Sequence, residues 1–229
     1  LTAAAVSGPE REVKWQQRWA DARLFEAEPD PQREKYFVNF PYPYVNGYPH
    51  LGHGFTLLRA EMMARYQRMR GREVFYPMGW DDNGLPTERR VQNYFGVRCD
   101  PSLPHDPDFE VPSDAGDLKA IEKRGDIDIG RRDFVELCHR LTAEDEQAFE
   151  DLWRHLGLSV DWTQTYATID ERSRALAQYS FIDLYDKGHL YSSNAPTMWD
   201  VDFQTAVAQA EVQDRPTAGH YHDLQFGVA

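Results

Sequence analysis

The chain has 229 residues, of which 41% are hydrophobic and 28% are charged, and its formal net charge is −13 at pH 7. No apolar run could span a membrane and no signal peptide is evident, so the sequence predicts a soluble globular protein with a full hydrophobic core. The negative charge argues against a wide nucleic-acid-binding surface. Cys99 and Cys138 form no CxxC pair, which indicates a reducing compartment and argues against structural zinc, and we expect a cytoplasmic protein.

The first part of the sequence predicts a helix followed by a β-α-β unit. The predicted elements are a helix over 11–25, a strand over 36–40, a helix over 51–70 that stops at Gly71, and a strand over 74–78. The long helix is indicated by apolar residues at helical spacing, namely Leu51, Phe55, Leu58, Met62, Met63, Tyr66 and Met69. Because a helix-length crossover joins the two strands, the expected fold class is α/β with a parallel sheet.

The middle of the chain changes composition from Cys99 to about Gly130, where proline, aspartate and glycine dominate and apolar periodicity disappears. This predicts a long acidic surface loop over 99–131. Beyond it the predicted elements are a helix or helix pair over 132–157 with its apolar residues inward, a strand over 166–169, and a helix over 171–187 that is capped by Asp170 and stopped by Gly188. The tail alternates short strand-like runs with turns.

The first of two chemically informative motifs is 43–53 (PYVNGYPHLGH), which runs from a strand end through a turn into the long helix. His50 and His53 lie at the helix N-terminus, where unpaired N–H groups and the helix dipole favour anions such as the phosphates of ATP. Gly47 permits the tight turn, and Gly52 carries no side chain that would block the adenine or ribose. The alternative interpretation is that the two histidines cap an ordinary surface helix.

The second motif, 79–86 (GWDDNGLP), follows the second predicted strand of the β-α-β unit. A carboxylate at the carboxyl end of a parallel strand opens into the crevice where such sheets bind ligands. Asp81 there could hold the ammonium group of an amino acid; the alternative is a turn-forming aspartate beside Asn83 and Gly84. Together the two motifs indicate a protein that activates an amino acid with ATP, whereas Asp82 and Asn83 receive no role.

The two motifs resemble the class I aminoacyl-tRNA synthetases of the valine, isoleucine and leucine group. Residues 43–53 resemble their HIGH signature, and 79–93 is very similar to one branch of bacterial valyl enzymes. Segments 156–162 and 199–211 are also similar to valyl enzymes, whereas 35–44 and 66–71 look more like leucyl enzymes of archaeal or eukaryotic type. The resemblance spans nearly the whole chain and favours valine over leucine or isoleucine.

The resemblance implies a Rossmann-like parallel sheet with flanking helices, which binds ATP with Mg²⁺ as a substrate. It implies that His50 and His53 are catalytic and bind ATP together with Gly47 and Gly52. The residues it implies for the amino acid are Pro43, Tyr44, Trp80 and Asp81, of which Asp81 would hold the ammonium group. A buried core position is an equal alternative for Trp80.

The resemblance also implies partners and a domain organisation. tRNA would bind mainly through domains outside these residues, and we expect a monomer that contacts no membrane and, with Asp200 and Phe203 where some relatives carry cysteines, no zinc. The lysine-containing KMSKS loop of the family does not occur. The expected organisation is a helical extension (1–34), the first half of the catalytic domain (35–98), the acidic loop (99–131), the rest of the N-terminal catalytic half (132–210) and the start of an editing insertion (211–229). A module that binds ATP or an adenylate without turnover is the alternative to a ligase.

Overall fold

The computed structural model describes residues 8–201, 205–207, 209 and 212–227. Its helices are α1 (Gly8–Asp21), α2 (Leu51–Met69), α3 (Leu85–Phe95), α4 (Leu118–Arg124), α5 (Arg131–His155) and α6 (Glu171–Asp186). Its strands are β1 (Lys35–Phe37), β2 (Glu73–Phe75), β3 (Pro77–Trp80), β4 (Val97–Cys99), β5 (Ile127–Ile129), β6 (Asp161–Ala167), β7 (Trp199–Asp200) and β8 (Thr205–Ala206).

Two compact units divide the chain, Leu1–Tyr179 and Ser180–Ala229. In the described part of the second unit, the chain completes α6 and forms the antiparallel pair β7–β8. The division falls inside α6, whereas the sequence analysis placed a domain boundary at 210/211. That boundary and Phe203 lie outside the described residues, so both calls stay predictions.

Parallel pairing organises the first unit. β1 pairs with β2, β3 with β6, and β4 with β5, all in parallel. β2 and β3 are consecutive in the chain, so the segment 73–81 lies between β1 and β6. The connection from β1 to β2 contains α2, which makes the predicted β-α-β unit. These parallel strands with helical crossovers confirm the α/β, Rossmann-like fold class.

Most predicted elements agree with the structure except at their ends, but the single strand predicted over 74–78 is divided between β2 and β3, which pair with different strands. Helix α2 ends one residue before the predicted 51–70, whereas α1 begins and ends earlier than 11–25 and β6 begins earlier than 166–169. The Asp170 carboxylate accepts a hydrogen bond of 2.6 Å from the Ser173 N–H, so Asp170 caps α6 as predicted. Gly188 follows this helix with a φ of +74°, a conformation that favours glycine.

Two hydrophobic clusters form the core, and α5 contributes to both. The cluster around the central strands contains Val38, Val45, Leu57, Ala64, Val74, Tyr76, Met78, Trp80, Phe149, Trp153, Leu158 and Val160. The cluster around α3 contains Val91, Phe95, Val97, Ile129, Phe134, Leu137 and Leu141. The residues of 132–157 that were predicted to point inward are therefore buried, and Leu152 is partly buried against the cluster around the central strands.

The segment 99–131 is more ordered than a loop, which corrects its interpretation from composition. It contains helix α4, whose N-cap Asp117 accepts hydrogen bonds of 3.1 Å from the N–H groups of Lys119 and Ala120. It also contains β5, which pairs with β4 and buries Ile129 in the second core cluster. Each of these elements is too short to show hydrophobic periodicity, so composition gave the wrong prediction.

Helix α2 exposes the apolar residues whose spacing predicted it. The exposed fractions include 90% for Leu51, 69% for Met62 and 80% for Met69. The buried face carries Leu57 and Ala64 together with the polar Glu61 and Gln67. Periodicity indicates which residues share a helix face, and the usual expectation is that the apolar face points to the core. In α2 this expectation is wrong, because the apolar residues that predicted the helix are exposed in the first unit.

Polar contacts hold the buried face of α2 in place. The Glu61 carboxylate accepts hydrogen bonds from the Ser159 N–H at 2.9 Å and from the Ser159 hydroxyl at 3.0 Å. The Arg68 guanidinium donates to the Ser159 carbonyl at 2.9 Å. Because these groups are buried and paired with one another, they can lie inward without the penalty of unsatisfied polar atoms.

Neighbouring leucines on α2 give a direct test of its orientation. Leu57 is 2% exposed and Leu58 is 43% exposed. Replacing Leu57 by alanine is expected to lower the free energy of unfolding by about 2–5 kcal/mol, because it leaves a cavity in the core. Leu58→Ala, the matched control, is expected to cost less than about 1 kcal/mol. Urea unfolding of both variants checks this, and equal losses would contradict the orientation.

Candidate active site

Both histidines of the first motif cap helix α2. His50 is the N-cap residue; its Nδ1 accepts a hydrogen bond of 3.1 Å from the Gly52 N–H. The His50 N–H donates in turn to Nδ1 of His53 at 3.3 Å, which completes a reciprocal capping box. Since Nδ1 of each ring is an acceptor, the neutral tautomers carry their proton on Nε2. Each ring is thereby left with one N–H donor at the helix N-terminus.

The two imidazole rings stack on each other, with centroids 3.9 Å apart and planes 25° apart. Burial lowers the pKa of His53, and the neighbouring His50 lowers it further. The stacked pair therefore favours a neutral His53 near pH 7. A neutral Nε2–H at a helix N-terminus can still donate a hydrogen bond to a phosphate oxygen.

The two glycines of the first motif have different surroundings. A Cβ on Gly52 would lie 3.0 Å from Cε1 and 3.1 Å from Nδ1 of His50, so a side chain there would press on the capping ring. Gly47 lies in the turn before α2 with a φ of +157°, and a Cβ on it would meet nothing within 4 Å. The capping geometry therefore supplies a reason for glycine at 52 in addition to the predicted space for ATP.

A parallel bridge joins the second motif to the first. The Asp81 N–H donates to the Pro43 carbonyl at 3.0 Å, and the Asp81 carbonyl accepts from the Val45 N–H at 2.9 Å. The bridge places Asp81 opposite Tyr44, whose hydroxyl donates to the carbonyl of Asn83. Pro43, Tyr44 and Asp81, which the sequence analysis assigned to one pocket, are thus neighbours through an isolated bridge just beyond the carboxyl end of β3.

Phe149 of α5 connects the two motifs from behind. Its ring lies 5.2 Å from the ring of His53 and 6.3 Å from that of Trp80. Trp80 is 4% exposed and belongs to the hydrophobic cluster around the central strands. It therefore occupies the buried core position that was the alternative to a pocket wall. Its role as a pocket wall stays a prediction. The sequence indicated an inward Phe149 but carried no signal that it contacts His53, because the two residues are distant in the chain.

Gly79 explains how the two motifs pack closely. A Cβ on it would lie 2.8 Å from the ring of Tyr42 and 2.9 Å from the ring of Tyr166. Those two rings pack edge-to-face with centroids 5.3 Å apart. Burial raises the pKa of Tyr42, and Tyr166 raises it further. Strand β3, which leads to Asp81, can therefore pass between the two tyrosines only with glycine at this position.

A buried carboxyl group, that of Asp82, follows Asp81 directly. Asp82 is 3% exposed, and its backbone N–H donates to the Thr168 hydroxyl at 3.0 Å. Neither carboxylate oxygen of Asp82 has a hydrogen-bond partner among the described residues, and Glu146 of α5 is the carboxyl group that influences its ionisation together with Asp81. Burial raises the pKa of Asp82 to about 6, the neighbouring Glu146 opposes this, and Asp81 adds to the rise. Burial also raises the pKa of Glu146 to about 7, with Asp82 adding to it.

These raised pKa values should make stability depend on pH. Both carboxyls have a higher pKa in the folded chain than when unfolded, so the fold binds more protons and loses stability as pH rises from about 4, near the unfolded pKa values, to about 7, near the folded ones. We expect a loss on the order of 2 kcal/mol relative to an Asp82→Asn/Glu146→Gln variant, which has no proton to lose there. Chemical unfolding at several pH values measures the difference. Parallel pH profiles for the two proteins would contradict the shifts.

In the described residues, neither a metal-binding cluster nor the cavity beside α1 involves the two motifs. Among the residues that the structure describes, no three Asp, Glu, His or Cys side chains lie close enough to hold a metal ion. No described helix is long and apolar enough to cross a membrane. A cavity of about 540 Å³ is lined by α1 residues, by Arg154, Trp162 and neighbouring positions, and by no residue of either motif.

These features define a class: a parallel α/β sheet with a histidine-capped helix and an aspartate at the adjacent strand ends. Residues 14–102 and 116–223 match the family of class I tRNA synthetases (I, L, M and V). The chain belongs to this family, in agreement with the resemblance of its motifs.

Its relatives are similar along nearly its whole length. It is 52% identical to the valine–tRNA ligase of Thermobifida fusca (strain YX) over 216 residues, which are 94% of this chain and 24% of that protein. It is 56% identical to the valine–tRNA ligase of Cutibacterium acnes over 218 residues, again 94% of this chain and 24% of the relative. The chain therefore spans about a quarter of the length of the curated relatives it matches.

A solved structure shares the fold. The LeuRS of Agrobacterium radiobacter K84 (agnB2), determined as a ternary complex with tRNA and LeuAMS, superposes with a TM-score of 0.65 at 26% sequence identity. The match covers 88% of this chain and 20% of that one.

Proposed function

We propose that this chain carries the amino-acid-activating site of a valine–tRNA ligase. It binds ATP with Mg²⁺ and valine, forms valyl-adenylate, and does so as part of the machinery that transfers valine to tRNA. The observation that carries the proposal is the parallel bridge between Tyr44 and Asp81, which sets the candidate ammonium ligand beside the histidine-bearing motif. The valine–tRNA ligases that are 50–56% identical support valine as the amino acid.

The reaction needs no nucleophile from the protein. A carboxylate oxygen of valine attacks the α-phosphorus of ATP in line, an O–P bond forms, and the bond to the β-phosphate oxygen breaks as pyrophosphate leaves. Catalysis then comes from positioning and from stabilising charge on the phosphoryl oxygens. Preorganised N–H donors aimed at developing negative charge are effective in this role.

The phosphate side of the proposed site is the N-terminus of α2. His50 and His53 would donate from Nε2 to phosphate oxygens, because their Nδ1 atoms are occupied by the capping box. The helix dipole adds a favourable field for the anion. Gly47 and Gly52 would let the backbone approach ATP, and Mg²⁺ would arrive on its phosphates.

The amino-acid side is Asp81 with its strand neighbours. Its carboxylate would accept hydrogen bonds from the valine ammonium group, and Pro43, Tyr44 and the backbone at Trp80 would line the same pocket. Both backbone hydrogen bonds of Asp81 are made to Pro43 and Val45 of the first motif, which supports a site shared with the histidines of that motif. In-line attack requires such a shared, well-positioned site.

Partners and location follow from the same proposal. The formal charge of −13 gives this chain little attraction for tRNA, so tRNA would be held mainly by domains outside it. We propose a monomer that acts in the cytoplasm, where aminoacyl-tRNA is consumed.

Amino-acid-dependent ATP–pyrophosphate exchange on the purified 229-residue chain tests the proposal. We expect exchange with valine that exceeds exchange with threonine, isoleucine and leucine by only about 10–200-fold, the general limit for a hydrophobic pocket that must distinguish near-isosteres. Discrimination of several thousandfold would contradict the predicted pocket. Nucleotide binding without exchange for any of the four amino acids would favour the binding-module alternative.

A further inference from the structure

The turn that leads into α2 is anchored at both ends but not in its middle. At one end the buried Val45 donates its N–H to the Asp81 carbonyl, and at the other end His50 caps the helix. Residues 46–49 lie between these anchors, and no hydrogen bond joins their backbone groups to any residue that the structure describes. The position of this turn therefore depends on side-chain contacts.

The ring of Tyr48 supplies such a contact. The guanidinium carbon of Arg90 lies 5.5 Å from the centre of this ring, within the range of a cation–π interaction. Tyr48 is 73% exposed, so the contact with Arg90, rather than burial in the core, places its ring. The turn is thereby tied to α3, which begins at the end of the second motif.

Arg90 is a rigid support, because a two-point ion pair fixes its side chain. Its Nε donates to one carboxylate oxygen of Asp145 at 2.6 Å, and a terminal nitrogen donates to the other oxygen at 2.7 Å. The side chain of Asp145 is 5% exposed and that of Arg90 is 19% exposed. The ring of Tyr94 lies 5.6 Å from the guanidinium carbon. Since two parallel hydrogen bonds set the plane of a guanidinium group, α5 holds Arg90 in one orientation toward Tyr48.

We propose that Arg90 is a positioning residue: it holds the turn before α2 through Tyr48 and thereby sets the direction in which the two capping imidazole rings present their Nε2–H donors. The kinetic part of this inference rests on the proposed function, in which those donors bind phosphate oxygens. Helix α5 then supports the histidine pair twice. One route is the ion pair with Arg90, and the other is Phe149, whose ring lies 5.2 Å from that of His53.

Loss of the Tyr48 ring should lower the rate of activation and leave valine binding nearly unchanged. A misplacement of about 1 Å can cost about a hundredfold in rate, and the capping box still limits the movement of the rings. We therefore expect Tyr48→Leu to lower kcat for valine-dependent exchange about tenfold, with the KM for valine within about twofold of the unmodified value. Tyr48→Phe keeps the aromatic face and should keep most of the rate.

Tyr66→Leu is the matched control for Tyr48→Leu. Tyr66 is 50% exposed and also contacts an arginine, since the guanidinium carbon of Arg70 lies 5.9 Å from its ring centre. It lies near the carboxyl end of α2, whereas the capping histidines lie at the opposite end of that helix. Tyr66→Leu should therefore leave exchange unchanged.

A double-mutant cycle shows whether Tyr48 acts through Arg90. Arg90→Met alone would leave the buried Asp145 carboxylate unpaired, so the background is Arg90→Met/Asp145→Leu, which removes both charges. In this background kcat should already be about tenfold lower, and Tyr48→Leu should lower it by less than about twofold more. An equal tenfold effect of Tyr48→Leu in both backgrounds would overturn the role of Arg90.

Proton NMR of the histidine rings gives a readout that needs no activity. The stacked rings of His50 and His53 lie 3.9 Å apart and shift each other's resonances through their ring currents. A displaced turn should therefore shift their Cε1–H signals in Tyr48→Leu but not in Tyr66→Leu. Arg90→Lys, which keeps the charge but cannot form the two-point ion pair, should shift the same signals and replaces the double variant if that variant does not fold.

The outcomes separate this inference from the proposed function. Unchanged histidine signals in Tyr48→Leu, or an unchanged kcat in a chain that is active, would overturn the positioning role. Unchanged signals in Arg90→Lys would remove Arg90 from it. If the unmodified chain shows no exchange with any amino acid, the proposed function fails instead, and the histidine signals alone decide whether Arg90 and Tyr48 position the two rings.

Discussion

Replacing His53 by alanine is expected to lower the rate of valine-dependent ATP–pyrophosphate exchange by about 10²–10³-fold, the usual cost of removing one preorganised donor to a transition-state oxyanion. The variant loses the Nε2–H donor and also the Nδ1 acceptor that pairs with the His50 N–H. It should remain folded, because a lost helix cap costs only about 1 kcal/mol. Exchange kinetics, with circular dichroism as a check on folding, measure both effects.

His139→Ala is a suitable control for this experiment. His139 lies on α5 with its side chain exposed, so its replacement should leave exchange unchanged. If His53→Ala retained exchange within about threefold of the unmodified rate while folding normally, His53 would be a helix cap and not a catalytic residue.

Asp81→Asn is expected to raise the KM for valine about a hundredfold, with little change in the KM for ATP. A neutral amide of the same shape keeps the parallel bridge, since that bridge uses only backbone atoms of Asp81. What it removes is the negative charge opposite the ammonium group, and hydrogen bonds to charged groups contribute about 1.5–3 kcal/mol. Steady-state exchange at varied valine and ATP concentrations separates the two constants.

Asp128→Asn serves as the matched control, because Asp128 is an exposed aspartate on β5 and belongs to neither motif. A KM for valine that stays unchanged in Asp81→Asn would remove Asp81 from the amino-acid site. An equal rise in the KM for ATP would instead indicate a general disturbance of the sheet.

Local patterns predicted those parts of the fold that depend on neighbours in sequence. The β-α-β unit around α2 and the inward residues of α5 were predicted from strand length, helical spacing and turn glycines. A parallel bridge pairs Tyr44 with Asp81, whereas the pocket predicted for Pro43, Tyr44 and Asp81 stays a prediction. The fold predictions succeeded where a single segment determines the geometry.

The remaining features depend on contacts between distant segments. Phe149 and Glu146 of α5 lie near the motifs, but no pattern in the sequence around them predicts this proximity. Periodicity in α2 identified an apolar stripe, but the contacts of Glu61 and Arg68 with Ser159 turn the opposite face to the core. The short elements within 99–131 are stabilised by β4 and the second cluster, so composition alone could not predict them.

A crystal structure with a non-hydrolysable valyl-sulfamoyl adenosine tests most directly whether the two motifs form one activating site. The predicted result is an ammonium nitrogen within about 3 Å of the Asp81 carboxylate, with the sulfamoyl group in hydrogen-bonding reach of the Nε2 atoms of His50 and His53. An analogue seated in the cavity beside α1, or an ammonium group held by residues other than Asp81, would contradict the proposed site.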